Sequence, residues 1–177
     1  MFTGLVRRSK FSSRVWVAAA LLSLALPAVA MAQAWPKILE GDELTRVVPS
    51  SFYFEGQSAP TQMRNAAAVQ FGAQRFTMAG LVDTSGYSSE VQAKYVGFFI
   101  TDSPITVGGA RLATGAYGFG FAPGGWMHLM DVGGRRILSV RTRRDADLQR
   151  PRPLMMTQAR NGVRLYAGRE WVLLSSR

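Results

Sequence analysis

Four short segments dominate what this chain can fold into: Gly108-Gly109, Gly124-Gly125, Gly133-Gly134 and Asn161-Gly162. Tight hairpins need positive φ, and glycine and asparagine reach it at little cost. Around these turns lie apolar runs of strand length: Phe52 to Phe54, Ala66 to Phe71, Phe76 to Val82, Tyr95 to Thr101 and Ala116 to Phe121. Five more follow, Trp126 to Val132, Ile137 to Thr142, Leu154 to Gln158, Val163 to Ala167 and Trp171 to Leu174. Turn signals recurring at this interval indicate antiparallel strands stacked as a sandwich or closed as a barrel. The expectation is therefore an all-β chain with a single antiparallel β-sandwich or flattened β-barrel domain over residues 51–177. Residues 1–34 read as a signal peptide. Residues 35–50 read as a leader arm with a short helical turn near Glu40 to Leu44.

Alternation adds detail. In Ala116-Tyr117-Gly118-Phe119-Gly120-Phe121 the aromatics share one face and the glycines the other, because side chains alternate across a strand. The aromatic face belongs in the core, and the glycine face suits close approach by another backbone, by a ligand, or a bend of the strand. Trp126 to Val132 is apolar on both faces apart from His128 and Asp131, which reads as a central strand with His128 satisfied in the core. The segment from Arg135 to Pro153 breaks the strand rhythm with Arg143-Arg144-Asp145-Ala146-Asp147 and Arg150-Pro151-Arg152-Pro153, and reads as a long exposed connection.

The signal-peptide reading rests on order. Arg7, Arg8, Lys10 and Arg14 precede the apolar run Val15 to Leu26, and small residues follow. That run falls well short of the roughly 20 residues that a bilayer-spanning helix needs. Ala32-Gln33-Ala34 is the favoured cleavage site, with Ala28-Val29-Ala30 as the competitor, so the mature chain is expected to begin at Trp35 in the periplasm or beyond it. No transmembrane segment is expected in the mature chain. Composition fits export: there are no cysteines, which excludes disulfide frameworks, zinc ribbons and thiol nucleophiles.

The formal charge of +10 is unevenly placed. Residues 35–134 carry six basic and eight acidic side chains, whereas residues 135–177 carry eleven arginines against Asp145, Asp147 and Glu170, a net +8. An arginine-only surface suits carboxylate or phosphate partners, and Arg141, Arg143 and Arg144 are the candidate anion-binding residues. Solvated strand faces are the plainer reading of the same charge. Nucleic acid is not an expected partner, because export removes the chain from it and the basic segment interleaves few aromatics beyond Tyr166 and Trp171.

Several chemistries drop out. A single histidine, His128, excludes every site that needs two, and no calcium-loop spacing of acids occurs, so neither a metal nor another cofactor is expected. Leu81-Val82-Asp83-Thr84-Ser85-Gly86 is only superficially like an aspartic-protease loop, since Ser85 intervenes and no second loop supplies the paired carboxylate. Asp83 reads instead as a turn-shaping residue. No residue is singled out as catalytic. The richest polar cluster is Ser51 to Asn65, where Tyr53, Gln57, Gln62, Arg64 and Asn65 combine a stacking surface with donors and acceptors, as a carbohydrate or polar small-molecule site requires. The plainer reading has these amides satisfying backbone groups in a strand-loop-strand unit.

Phe52-Tyr53-Phe54-Glu55-Gly56-Gln57, the stretch Ala79 to Tyr87, the pattern Gly108-Gly109-x-x-Leu112-x-x-Gly115-x-Tyr117-Gly118-Phe119-Gly120-Phe121 and the stretch Arg164 to Arg169 together resemble a group of exported bacterial β-rich proteins of unknown function. The resemblance spans most of the mature chain. It implies a secreted β domain and supplies no activity or catalytic residue. The functional expectation is a non-catalytic binding or envelope-associated module for a carbohydrate or anionic envelope component. A β-barrel carrier of an apolar small molecule is the alternative, suggested by 8 methionines and 10 phenylalanines. A hydrolase using a carboxylate pair stands third.

Overall fold

The computed structural model describes Met1 and residues Pro36–Ser176. The expected signal peptide and its cleavage after Ala34 lie outside these residues. Strands hold 60% of the described residues and helices 9%, so the chain is all-β. Among the described residues no helix is long and apolar enough to cross a membrane.

The described stretch begins with β1 (Lys37–Leu39) and the short helix α1 (Gly41–Val47), both within the stretch read as a leader arm. Strand β2 (Ser51–Phe54) turns at Glu55-Gly56 into the 16-residue β3 (Gln57–Gly72), which leads into β4 (Arg75–Val82). Helix α2 (Ser89–Lys94) follows, started by the Ser88 hydroxyl accepting from the Val91 amide. Next come β5 (Gly97–Thr101), the hairpin of β6 (Ile105–Val107) and β7 (Ala110–Leu112), and β8 (Gly115–Ala122). The last six strands are β9 (Trp126–Met130), β10 (Arg136–Arg141), β11 (Arg143–Arg144), β12 (Arg152–Ala159), β13 (Gly162–Gly168) and β14 (Glu170–Ser176).

These strands form two antiparallel sheets and no closed barrel, which removes the flattened-barrel alternative. The larger sheet runs β1-β3-β4-β5-β8-β9-β10, with β2 paired to the start of β3. The smaller runs β12-β13-β14-β6-β7, with β11 on β14. Strands β1 and β10 end the first order, and β12 and β7 the second. The β6–β7 turn is Gly108-Gly109, with φ of 56° and 88°, the two positive values that a two-residue hairpin following the strand twist demands. The long connection expected over Arg135 to Pro153 is interrupted twice, because β10 pairs with β9 and β11 pairs with β14.

Two cores result. Inward side chains of both sheets, among them Val69, Phe99, Phe119, Leu129, Leu165 and Leu174, are fully buried in one cluster. A second cluster lies on the other face of the larger sheet, where Phe52, Phe54, Tyr87, Val91 and Tyr95 pack on Phe98 and Met130. Consecutive Phe98 and Phe99 thus serve opposite cores, as the two-residue side-chain period requires. Phe54 and Tyr95 stack with ring centroids 4.0 Å apart. Burying such a side chain is worth about 1.5–3 kcal/mol, so this second layer is a substantial part of the fold. The glycine face of β8 admits it: Gly118 lies beneath the Phe54 ring and Gly120 against the Lys94 carbonyl. The buried Thr77 and Thr101 hydroxyls satisfy each other at 3.0 Å across β4 and β5.

Candidate functional site

Between β10 and β11 the chain passes from the larger sheet to the smaller one across a single residue, Thr142. The Thr142 amide donates to the Gly125 carbonyl at 2.9 Å, and its hydroxyl donates to the Glu170 carboxylate. Alternation through this corner sends Thr142 and Arg144 toward Glu170, and Arg141 and Arg143 the other way. Arg144 reaches the Glu170 carboxylate at 3.6 Å.

Arg141 and Arg143 line a cleft of about 270 Å³ together with Trp171, Val172, Leu173 and the Gly108-Gly109 turn. No carboxylate stands among these lining residues. The Arg141 guanidinium lies 4.2 Å from the Trp126 ring centroid and donates from Nη1 to the Gly124 carbonyl at 2.7 Å, which fixes it without neutralising it. Arg143 sits 5.5 Å from the Trp171 centroid, and Arg164, on the neighbouring strand, 4.4 Å from the same ring. The Arg143 guanidinium has no carboxylate partner among the described residues; its contact is with the Trp171 ring. Trp171 is held opposite Arg143 and Tyr166 by the pairing of β14 with β11 and β13. The Tyr166 hydroxyl in turn donates to Asp145 at 2.9 Å, which anchors the connection after β11.

Of the three expected anion-binding arginines, the structure therefore brings Arg141 and Arg143 together and turns Arg144 onto Glu170. Trp171 and the Gly108-Gly109 turn complete the cleft and were not among the expected site residues. Trp171 stood out in sequence only as an aromatic within the basic segment.

The five residues of the other expected site do not share one cleft. Tyr53 is 57% exposed on β2. The Gln57 carbonyl accepts from the Tyr87 hydroxyl at 3.1 Å. Gln62 donates to the Val82 carbonyl at 3.0 Å and accepts from the Asn65 amide at 2.9 Å. These two amides bracket the register shift between Thr61 and Ala66, where β3 leaves the ladder with β4. Arg64 is exposed and opens onto a separate groove beside β1 and β12 that contains none of the other four.

His128 is not a core histidine. It is half-buried on the outward face of β9, opposite Ser139, whose hydroxyl lies 2.8 Å from Nδ1. Its ring is nearly parallel to that of Trp126, with centroids 6.5 Å apart. Partial burial, assisted by the Arg136 guanidinium, pushes its pKa below the usual value, which keeps the imidazole neutral at pH 7. Asp83 shapes a turn as expected: it accepts from the Ser85 amide at 3.0 Å, and that bond, with one from the Ser85 hydroxyl, holds its pKa below the usual carboxylate value. Among the described residues no group of three or more histidine, aspartate or glutamate side chains could hold a metal ion.

No family model, curated protein or solved structure matches this chain.

Proposed function

We propose that the protein is an exported, non-catalytic binding module for an anionic envelope saccharide, taken up in the cleft at the corner between the sheets. The observation that carries this reading is the placement of two unneutralised guanidiniums, Arg141 and Arg143, on one acid-free cleft beside Trp171. Guanidinium forks match carboxylate and phosphate geometry, and an indole beside them offers a sugar ring an apolar face. A lone surface charge would be a weak argument, since exposed ion pairs are worth little. Two arginines lining one concave site without an acid make a stronger one. The export half of the proposal rests on the basic, apolar and small-residue order of the first 34 residues.

Calorimetric titration at about 0.15 M salt with uronic-acid oligosaccharides and with neutral glucan oligosaccharides of the same length tests the reading. Acidic oligosaccharides are expected to bind and neutral ones to bind at least tenfold more weakly. The variant Arg141→Ala/Arg143→Ala should lose at least tenfold in affinity. Arg150→Ala/Arg160→Ala removes the same charge from exposed positions outside the cleft and should lose far less. Equal losses in the two double variants, or no binding of the acidic series, would refute the site.

A further inference from the structure

The face that carries Arg141 and Arg143 continues beyond their cleft. Cross-strand partners share a face of a sheet, and β10 pairs Ser139 with His128 and Arg141 with Trp126 on β9. One residue past Thr142, β11 pairs Arg143 with Trp171 on β14. Ser139, Arg141 and Arg143 are all exposed, while Val140 is buried in the inter-sheet core. Successive amides of a strand point to opposite edges: Thr142 donates to the Gly125 carbonyl beside β9, and Asp145 to the Arg169 carbonyl beside β14, at 2.9 Å each. Strands β9 and β14 therefore flank the segment from Arg141 to Arg143 on opposite sides, each supplying one tryptophan.

Side-chain contacts run along this face. The Trp126 ring has the Arg141 guanidinium 4.2 Å from its centroid and the nearly parallel His128 ring at 6.5 Å. Trp171 has Arg143 at 5.5 Å and Arg164 at 4.4 Å. A second, more open concavity of about 370 Å³ has Trp126, His128, Arg136 and Ser139 in its lining and, like the cleft, no acid. Asp145, the carboxylate two residues beyond Arg143, accepts from the Tyr166 hydroxyl at 2.9 Å and lies 4.0 Å from Arg164. We infer that the two concavities are consecutive subsites of one track, which binds an acidic polysaccharide along the interior of its chain. Trp171 and Trp126 offer apolar ring faces and the arginines between them offer carboxylate partners, an alternation that a chain of uronic-acid units repeats. Ser139 and Arg143 lie about 13 Å apart at the usual strand rise, more than a single sugar ring covers. The inference rests on the saccharide reading of the cleft and adds chain length to it.

The full-length protein has a single histidine, so one imidazole NMR signal reports on the far end of the track. Galacturonic acid hexamer is expected to shift both the His128 imidazole and the Trp171 indole signals, and the dimer to shift Trp171 and leave His128 still. The hexamer should bind at least tenfold more tightly than the dimer. His128→Ala/Arg136→Ala should remove most of that advantage while leaving dimer affinity unchanged, and the retained dimer binding shows that the variant is folded. Equal affinities of hexamer and dimer, or a His128 signal that stays still at saturating hexamer, would overturn the track and leave the single cleft standing. If neither oligomer binds, the saccharide reading itself falls and the track with it. A thymidine hexanucleotide that binds more tightly than the hexamer would overturn the assignment to a polysaccharide, since aromatic and arginine side chains along a groove also hold single strands.

Discussion

Gly120 on β8 faces the backbone carbonyl of Lys94, the last residue of α2, so closely that a Cβ at position 120 would stand 1.9 Å from the oxygen. Nothing at that distance can be relieved by a side-chain rotation, because the obstacle is main chain. Gly120→Ala is therefore expected to lift α2 from the larger sheet and cost at least about 2 kcal/mol in urea unfolding. Gly109→Ala is the control: its φ of +88° is unfavourable for alanine, but nothing lies within 4 Å of the added atom. It should cost about 1 kcal/mol, the backbone share alone. Equal costs would mean that the helix does not press on the sheet.

Tyr95 predicts an alkaline limit. It is fully buried, its hydroxyl has no hydrogen-bond partner among the described residues, and burial above all, with the Tyr87 hydroxyl beside it, raises its pKa well above the ordinary 10.0. The unfolded chain then loses this proton at a lower pH than the folded one. Stability present below about pH 10 is expected to fall as pH rises further, by about 1.4 kcal/mol per pH unit from this group. Tyr87 and Tyr117, raised chiefly by burial, add in the same direction. Tyr95→Phe should flatten the alkaline slope. At pH 7 it should be neutral or stabilising, because it removes a buried hydroxyl that lacks a partner. An unchanged slope in denaturation between pH 9 and 11 would sink the assignment.

His128 predicts an acid-side effect that one substitution can dissect. Its pKa is depressed by partial burial first and by Arg136 second. On acidification the unfolded chain is protonated at this histidine before the folded one, so stability present above the ordinary value near 6.5 declines as pH falls through it. Arg136→Gln should move the ¹H NMR titration midpoint of His128 upward but leave it below the ordinary value, because the burial remains. A midpoint unaffected by the substitution would place Arg136 too far from the ring to act on it.

Glu55 sets two small energies against each other. It occupies the first turn position of the β2–β3 hairpin at φ 43°, the one non-glycine residue at positive φ among those described, and its carboxylate lies 2.7 Å from Lys94 Nζ. Asparagine tolerates that backbone better than glutamate, whereas the lost, partly exposed ion pair is worth up to about 1 kcal/mol. Glu55→Asn should thus change stability by no more than about 0.5 kcal/mol. Glu55→Val combines a β-branched side chain at positive φ with loss of the pair and should cost about 2 kcal/mol or more. Urea midpoints of the two variants decide it.

All ten expected strands occur, because each was bounded by a glycine turn or a change in alternation that is local in sequence. What escaped depends on partners remote in sequence. Strand β1 is three residues whose pairing with Ala68 to Gln70 has no local signature. Helix α2 is announced only by Val91 and Tyr95, four residues apart, which become a buried stripe once the larger sheet supplies a surface. The placement of His128 failed for a related reason. Met127 and Leu129 point into the inter-sheet core, and Met130 reaches the second core, so a strand apolar on both faces concealed that Trp126 and His128 lie beyond the second layer. The arginines of the candidate cleft were readable as charge. Their placement on one cleft with Trp171 was not, since Trp171 stands opposite Arg143 only through the register of β11 with β14.

Because neither sheet closes on itself, the two strand orders end in four terminal strands, whose outer edges have no ladder partner among the described residues. Each carries a cation: Lys37 on β1, Arg136 and Arg141 on β10, Arg111 on β7 and Arg152 on β12. Charged side chains on open edges are a recognised guard against edge-to-edge aggregation. Cations on all four terminal strands are therefore placed to oppose such pairing, and removing Arg141 to probe the cleft would weaken that guard on β10.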